Sequence, residues 1–313
     1  MSTRWSEGDV PSLEGKTFVV TGSNSGIGFE AARVLARRGG EVVLACRSEA
    51  RAEAARARIL ADTPHAKVVW RALDLASLAS VRAFAARIAD EHAHLDVLVN
   101  TAGLMALPRT ETADGFEMQL GTNHLGHFAL TGLLLPRLRA RGAARVVCVC
   151  SHAHRWGWMR FDDLMGERRY DKWLAYGQSK LANLLFAFEL DRRLSAATPA
   201  GPRVEAVACH PGYSATELQG KGAAMENDRF GGWIMDLGNR ILAQSAAEGA
   251  LPTLRAATDP EARGGEYYGP GGLFEMAGPP VKVGTNARAR SAEDARTLWA
   301  KSVELTGVDF GGL

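Results

Sequence analysis

Two spacings in the sequence point to chemistry. The first is YGQSK at 176–180, which sets Tyr176 and Lys180 four residues apart within WLAYGQSKLANLLFAFEL. Leu181, Leu184, Leu185 and Phe188 recur there at helical spacing and predict a buried stripe. The phenol and the ammonium then share a neighbouring face, one turn apart. An ammonium beside a phenol favours the phenolate and is expected to draw a tyrosine pKa down from about 10. Such a group exchanges a proton with a carbonyl or alcohol oxygen. The second spacing is TGSNSGIG at 21–28, placed between the apolar run TFVVTG and a helical pattern carrying Ile27, Ala31, Val34 and Leu35. In that context the glycines read as a pyrophosphate-binding turn. Gly22 allows the sharp exit from the strand, Gly26 lets the backbone approach the anion, and Gly28 lets the helix pack close to the sheet. Asn24, Ser25 and Ile27 lie in the same cofactor-contacting turn, where the helix N-terminus presents free N–H groups.

The second strand ends in LACRSEAR, with Arg47 and no carboxylate. An acidic residue there would hold a ribose 2′-hydroxyl, whereas an arginine accommodates a 2′-phosphate, so NADP is favoured over NAD.

SHAHRWGWMRF at 151–161 gathers histidines, tryptophans and arginines around Ser151. Cys148, Cys150, His152 and His154 alternate, which in a strand would put them on one face. Four same-face positions span about 20 Å, while zinc ligands converge to about 2.0–2.3 Å from the ion. His124 and His127 have helical spacing but no evident third ligand, so no metal is expected. Base stacking by Trp156, Trp158 and Arg160 is opposed by Asp162, Asp163 and Glu167 and by a net charge of +2. Two readings of the tryptophans stay open. They either pack the segment onto the domain or, with Met159, Phe161 and the residues Met225, Phe230, Trp233 and Met235 further on, line an apolar substrate pocket.

The supporting elements follow from periodicity. Short β-branched runs at 17–22, 41–46, 67–73, 95–100, 145–150 and 203–209 alternate with helical patterns, and GGEYYG at 264–269 supplies a last strand. This alternation predicts an α/β fold, a Rossmann-type doubly wound and mostly parallel seven-stranded sheet with helices on both faces, in one domain. Residues 1–14 read as an N-terminal extension, 15–270 as the catalytic domain with substrate loops near 152–172 and 214–244, and 271–313 as a C-terminal extension. GPGGLFEMAGPP is expected to be surface loop, followed by a helix at about 292–305. The 313 residues carry 37 Lys+Arg against 35 Asp+Glu, so no field draws nucleic acid or an anionic membrane. Without a signal-peptide core or a membrane-length apolar run, a soluble cytoplasmic protein is expected. The four cysteines are expected to be buried and reduced.

Taken together, TGSNSGIG, LDL at 73–75, VNTAG at 99–103, TNHLGHF at 122–128, the serine after RVVCVC, YGQSK and HPGYSAT at 210–216 resemble the short-chain dehydrogenase/reductase family. ACR after the second strand and QSKLAN after the tyrosine are most similar to the branch of retinol dehydrogenases, protochlorophyllide reductases and related bacterial oxidoreductases. The resemblance implies Tyr176 as general acid/base, Lys180 as its partner and ribose ligand, Ser151 as donor to the substrate oxygen, and Asn123 as anchor for a proton-relay water. It implies cofactor contacts from Asp74, Leu75, Asn100, Ala102, Gly103, Pro211, Gly212 and Thr216, and places Tyr213 beside the substrate. Thr101 stands where the family usually has asparagine, which bears on how the 101–103 turn is braced, and Cys150 stands where it often has serine; neither departure removes a proposed catalytic group. The implied activity is NADP-dependent hydride transfer to or from a bulky hydrophobic carbonyl or alcohol. Reduction of an activated C=C bond and non-catalytic NADP sensing are the alternatives. Family members form dimers or tetramers through helices matching 115–140 and 173–194, contacts that the C-terminal segment could block.

Overall fold

In the computed structural model, which describes residues 4–213 and 245–313, the strands pair in the order β3-β2-β1-β4-β5-β6-β7-β8. They are β1 (Thr17–Thr21), β2 (Glu41–Cys46), β3 (Val68–Ala72), β4 (Val97–Asn100), β5 (Arg145–Val149), β6 (Glu205–Cys209), β7 (Tyr267–Pro270) and β8 (Pro280–Lys282). All neighbours are parallel except β7 and β8. The expected seven strands are therefore eight. Gly271 and Gly272 turn the chain, their N–H groups donating to the Pro279 and Ala277 carbonyls, and the segment read as surface loop returns along the sheet edge.

Successive strand residues enter opposite cores, as a sheet covered on both faces requires. Val19, Val43, Leu98, Val146 and Ala206 pack beneath α3 (Leu78–Glu91), α4 (Gly126–Arg141), α5 (Lys172–Ala197) and α7 (Ala292–Thr306). Phe18, Val20, Val42, Leu44, Val99 and Val207 face α1 (Gly26–Arg37), α2 (Glu49–Asp62) and α6 (Ala246–Thr258). Order reverses between β1 and β4, which opens a crevice at the carboxyl ends of the strands.

Two local departures shape that crevice. β5 stops at Val149, and His152–Arg155 form a 3₁₀ turn whose first N–H groups include Ala153, bonded to the Ser151 hydroxyl at 3.2 Å. The supposed strand face of two cysteines and two histidines therefore does not exist. Ahead of α4, Met118–Leu120 is one helical turn and Gly121–Leu125 is π-helical, which puts Asn123 in the wide turn. Such turns recur where a backbone group is needed out of the regular ladder. All four cysteines are free and buried. Among the described residues no helix is long and apolar enough to cross a membrane.

Candidate active site

A cavity of about 660 Å³ occupies the crevice, within the range of small-molecule and cofactor sites. One end is the glycine turn, with Gly22, Asn24, Ser25, Gly26, Ile27 and Gly28 all on the wall. Gly22 has φ +66° and a Cβ there would lie 2.9 Å from Ala102 Cα, while one at Gly28 would lie 2.5 Å from the Gly22 carbonyl. Steric need dictates both glycines.

Next along the wall come Arg47, Ser48 and Arg51 at the start of α2, facing Asp74 and Leu75. Arg47 Nη1 stands 3.8 Å from Asp74 Oδ2, and its side chain is 76% exposed. Ser48 caps α2 by accepting from the Arg51 N–H at 3.4 Å. Ser48 and Arg51 escaped the sequence reading; a serine directly before a helical Ala/Arg run is the signal that marks that N-terminus.

The floor is the 101–103 turn. Thr21 Oγ1 accepts from the N–H of Thr101 at 2.9 Å and of Ala102 at 3.0 Å, and lies 2.9 Å from His127 Nε2. His127 Nδ1 is 2.9 Å from the Asn123 carbonyl, which can only accept, so Nδ1 carries the proton and Nε2 accepts from Thr21. Thr21 and His127 thus brace the turn that Thr101 was expected to alter; the Thr101 hydroxyl itself is buried without a partner. Burial pushes the His127 imidazole down to about 4 and that of His124 to about 3. His124 pairs with Ser302 at 2.9 Å, away from His127, so the two do not converge on a ligand. Asn100 lies behind the floor, donating to Thr131 Oγ1 at 3.0 Å, and does not line the cavity.

Ser151, Tyr176 and Lys180 meet above this floor. Lys180 Nζ donates to the Val149 carbonyl at 3.3 Å and stands 5.8 Å from the centre of the Tyr176 ring. Asn123 holds its surroundings by side-chain bonds, accepting from the Leu104 N–H at 2.7 Å and donating to Ser179 Oγ at 2.9 Å. A Cβ on Gly103 would lie 3.3 Å from Asn123 Oδ1 and 3.4 Å from Lys180 Nζ, so this glycine gives both room; Lys180 lines the cavity, while Asn123 is fully buried behind it. The expected lowering of the tyrosine pKa is not found. Burial pushes the Tyr176 phenol up to about 12, against a smaller downward pull from the Ser151 hydroxyl. Burial also depresses the Lys180 ammonium.

The far end is apolar. Leu104, Met105, Met118, Trp156, Trp173 and Met276 line it, with Pro211, Gly212 and Tyr213 along one side. Trp156 is seated by glycines. A Cβ on Gly157 would strike the Gly177 carbonyl, and one on Gly177 would lie 3.0 Å from Trp156 Cδ1. The two readings of the tryptophans divide between residues. Trp158 lies outside the cavity, with the Arg288 guanidinium 4.3 Å over its ring, while Met159 and Phe161 pack into the core. Thr216, Met225, Phe230, Trp233 and Met235 lie outside the described residues.

One trio of described residues, His152, His210 and Glu275, brings donor atoms within 4.8 Å of one another. His210 Nδ1 accepts from the Gly212 N–H at 3.2 Å, so Nε2 carries the proton and donates to Glu275 Oε2 at 3.2 Å. That nitrogen has no lone pair for a metal. Arg155 Nη2, 2.8 Å from Glu275 Oε1, already balances the carboxylate.

Comparison with known proteins agrees with this geometry. The family model described as short chain dehydrogenase matches residues 16–227. Retinol dehydrogenase 12 of Mus musculus is 41% identical over 303 residues, covering 95% of this chain and 88% of the relative. Retinol dehydrogenase 13 of Homo sapiens is 42% identical over 300 residues, covering 95% and 86%. A crystal structure of an uncharacterised protein from Mycobacterium paratuberculosis is 45% identical, with TM-score 0.79 over 98% of this chain and 99% of that one. A glycine turn opening a doubly wound sheet, a tyrosine and lysine one helical turn apart, and a family match across most of that sheet agree: the chain belongs to the short-chain dehydrogenase family, on its retinol dehydrogenase-like branch, and is an oxidoreductase.

Proposed function

We propose that the protein is an NADP-dependent oxidoreductase passing a hydride between nicotinamide and the carbonyl or alcohol carbon of a bulky apolar substrate, with Tyr176 as general acid/base. The observation that carries this is the convergence of Ser151, Tyr176 and Lys180 between the phosphate-binding turn and the apolar end of one cavity. The residues fit a dinucleotide. Gly22 and Gly26 hold the turn in positive φ, a Cβ on Gly22 or Gly28 would strike its neighbouring backbone and force the turn apart, and α1 starts there with its free N–H groups. Arg47, with Ser48 and Arg51 beside it and no carboxylate ending β2, suits a 2′-phosphate. When bound, the cofactor supplies the hydride.

The chain's own groups do the rest. Ser151 Oγ accepts from the Ala153 N–H, which leaves its proton free to donate to Tyr176 or to a substrate oxygen. With its pKa raised, Tyr176 holds its proton at neutral pH, the form that donates to a nascent alkoxide in reduction. Lys180, from the same helix, holds its ammonium 5.8 Å from the centre of the Tyr176 ring, where it would donate to the cofactor's ribose. The apolar far end supports a large hydrophobic substrate, and the names of the mouse and human relatives point to retinol, an alcohol of that kind.

The test is NADPH oxidation followed by absorbance with bulky apolar aldehydes. Wild-type protein is expected to be active with NADPH in preference to NADH. Tyr176→Phe should lose activity by about a hundredfold or more, in line with general acid catalysis, while NADPH still binds. Full activity in that variant would refute the mechanism.

A further inference from the structure

We propose that Glu275 is a positioning residue for the substrate pocket: through His210 and Arg155 it fixes the C-terminal turn so that Met276 becomes the wall beside Pro211 and Gly212. This rests on reading the cavity as a site for an apolar carbonyl or alcohol. The turn lies beyond the residues matched by the family model, 16–227, and so belongs to this chain's C-terminal segment.

The backbone is the first sign. Phe274 and Glu275 both have positive φ, 52° and 57°, a region that side-chain-bearing residues adopt only when their surroundings impose it. Apolar burial is not what imposes it, since Leu273 and Phe274 are 79% and 77% exposed. The conformation turns Glu275 inward instead. Its Oε1 accepts from Arg155 Nη2 at 2.8 Å and its Oε2 from His210 Nε2 at 3.2 Å. Arg155 belongs to the 3₁₀ turn that follows Ser151, and His210 follows β6 directly. One carboxylate therefore ties three segments together at the mouth of the site.

The tautomer of His210 makes this specific. With Nδ1 accepting from the Gly212 N–H, Nε2–H needs an acceptor, and Glu275 supplies it. Gly269 makes room for the ring, because a Cβ there would collide with Nε2. The two turns then interlock. The Met276 carbonyl accepts from the Tyr213 N–H at 2.9 Å, and at Gly212, φ +71°, any Cβ would strike that carbonyl. Met276 reaches the cavity as the residue next to the clamp.

Hydrogen exchange at the Tyr213 amide reads the clamp without turnover. Glu275→Ala is expected to speed that exchange by at least about tenfold, while amides of β5 and β6 keep their protection. In steady-state assays, Glu275→Ala and Met276→Ala should each raise KM for a bulky apolar aldehyde about tenfold, and each by more than it raises the KM of a small aldehyde. The double variant should be no worse than the worse single, because Glu275 acts through Met276. Glu275→Gln keeps one acceptor oxygen and should fall between wild type and Glu275→Ala; if the alanine variant does not fold, it carries the same comparison. Unchanged Tyr213 exchange, or additive losses in the double variant, overturns the proposal. If wild-type protein turns over no carbonyl or alcohol, the functional reading fails, and the exchange measurement alone still decides whether Glu275 holds the turn.

Discussion

Thr21 is the residue from which the cofactor floor hangs. It is fully buried at the end of β1, and its one hydroxyl oxygen serves the N–H groups of Thr101 and Ala102 while its proton goes to His127. Valine has the same shape and none of this capacity. Thr21→Val should leave the Ala102 amide without an acceptor and His127 Nε2 without a donor, while the Thr101 N–H keeps the Val99 carbonyl at 3.1 Å, costing about 1–3 kcal/mol by the usual penalty for orphaned buried groups. A urea titration should show that loss as a lower midpoint with an unchanged slope, and NADPH affinity should weaken with it. Equal midpoints would show that the floor is held some other way. Tyr176 teaches a different lesson at this scale. Spacing placed Lys180 one turn away correctly, but proximity in sequence says nothing of burial, and burial is the larger influence on the phenol.

At the scale of elements, the stretch from Met118 to Arg141 joins an α-helical turn, a π turn and α4 into one rod, buried along most of its length and exposed in its last turn. His124 and His127 within it are buried and depressed to about 3 and about 4 from 6.5. Both folded values lie below the unfolded one, so the unfolded chain binds protons first as pH falls. Their contribution to stability is complete above about pH 6.5 and declines on acidification toward pH 4 and below, by about 1.4 kcal/mol per pH unit for each histidine. The thermal midpoint should therefore drop between pH 7 and pH 5, a window in which ordinary carboxylates stay ionised in both states. A flat midpoint would contradict the burial of these rings. The parallel strands, the glycine turn and α5 were all legible, because each leaves a periodic or steric trace in a short stretch of sequence. The π turn was not, since its residues would suit an α-helix equally. Nor was β8, whose pairing joins Gly269 to Val281 through a hairpin of glycines and prolines with no alternation to read. Glu275 stayed hidden for the same reason: its partners His210 and Arg155 are distant in sequence.

At the scale of the molecule, α7 and the tail behind it cover the helices on which the resemblance implied subunit contacts. Phe128 of α4, Phe186 of α5, Trp299 of α7 and Phe310 form one aromatic cluster, with ring centres 5.4 Å apart for Phe128 and Phe186 and 4.6 Å for Trp299 and Phe310. A Cβ on Gly132 would lie 2.7 Å from Val308 Cγ1, so the tail sits tightly against α4. With that apolar face occupied by its own chain, the 313-residue chain is expected to sediment as a monomer at micromolar concentration. A version ending at Arg290 should self-associate, since the uncovered rings form a large apolar patch. A stable dimer of the intact chain would place its interface on another face. The same economy of covering surface is visible at Gly177. Glycine inside a helix costs about 1 kcal/mol relative to alanine, so the helix carrying Tyr176 would be stronger without it. Its place is taken up by the indole of Trp156, 3.0 Å from where a methyl would begin. The tyrosine proposed as the acid and the tryptophan proposed as a wall of its pocket thus share one backbone notch, and filling that notch to strengthen the helix would reshape the cavity that Trp156 lines.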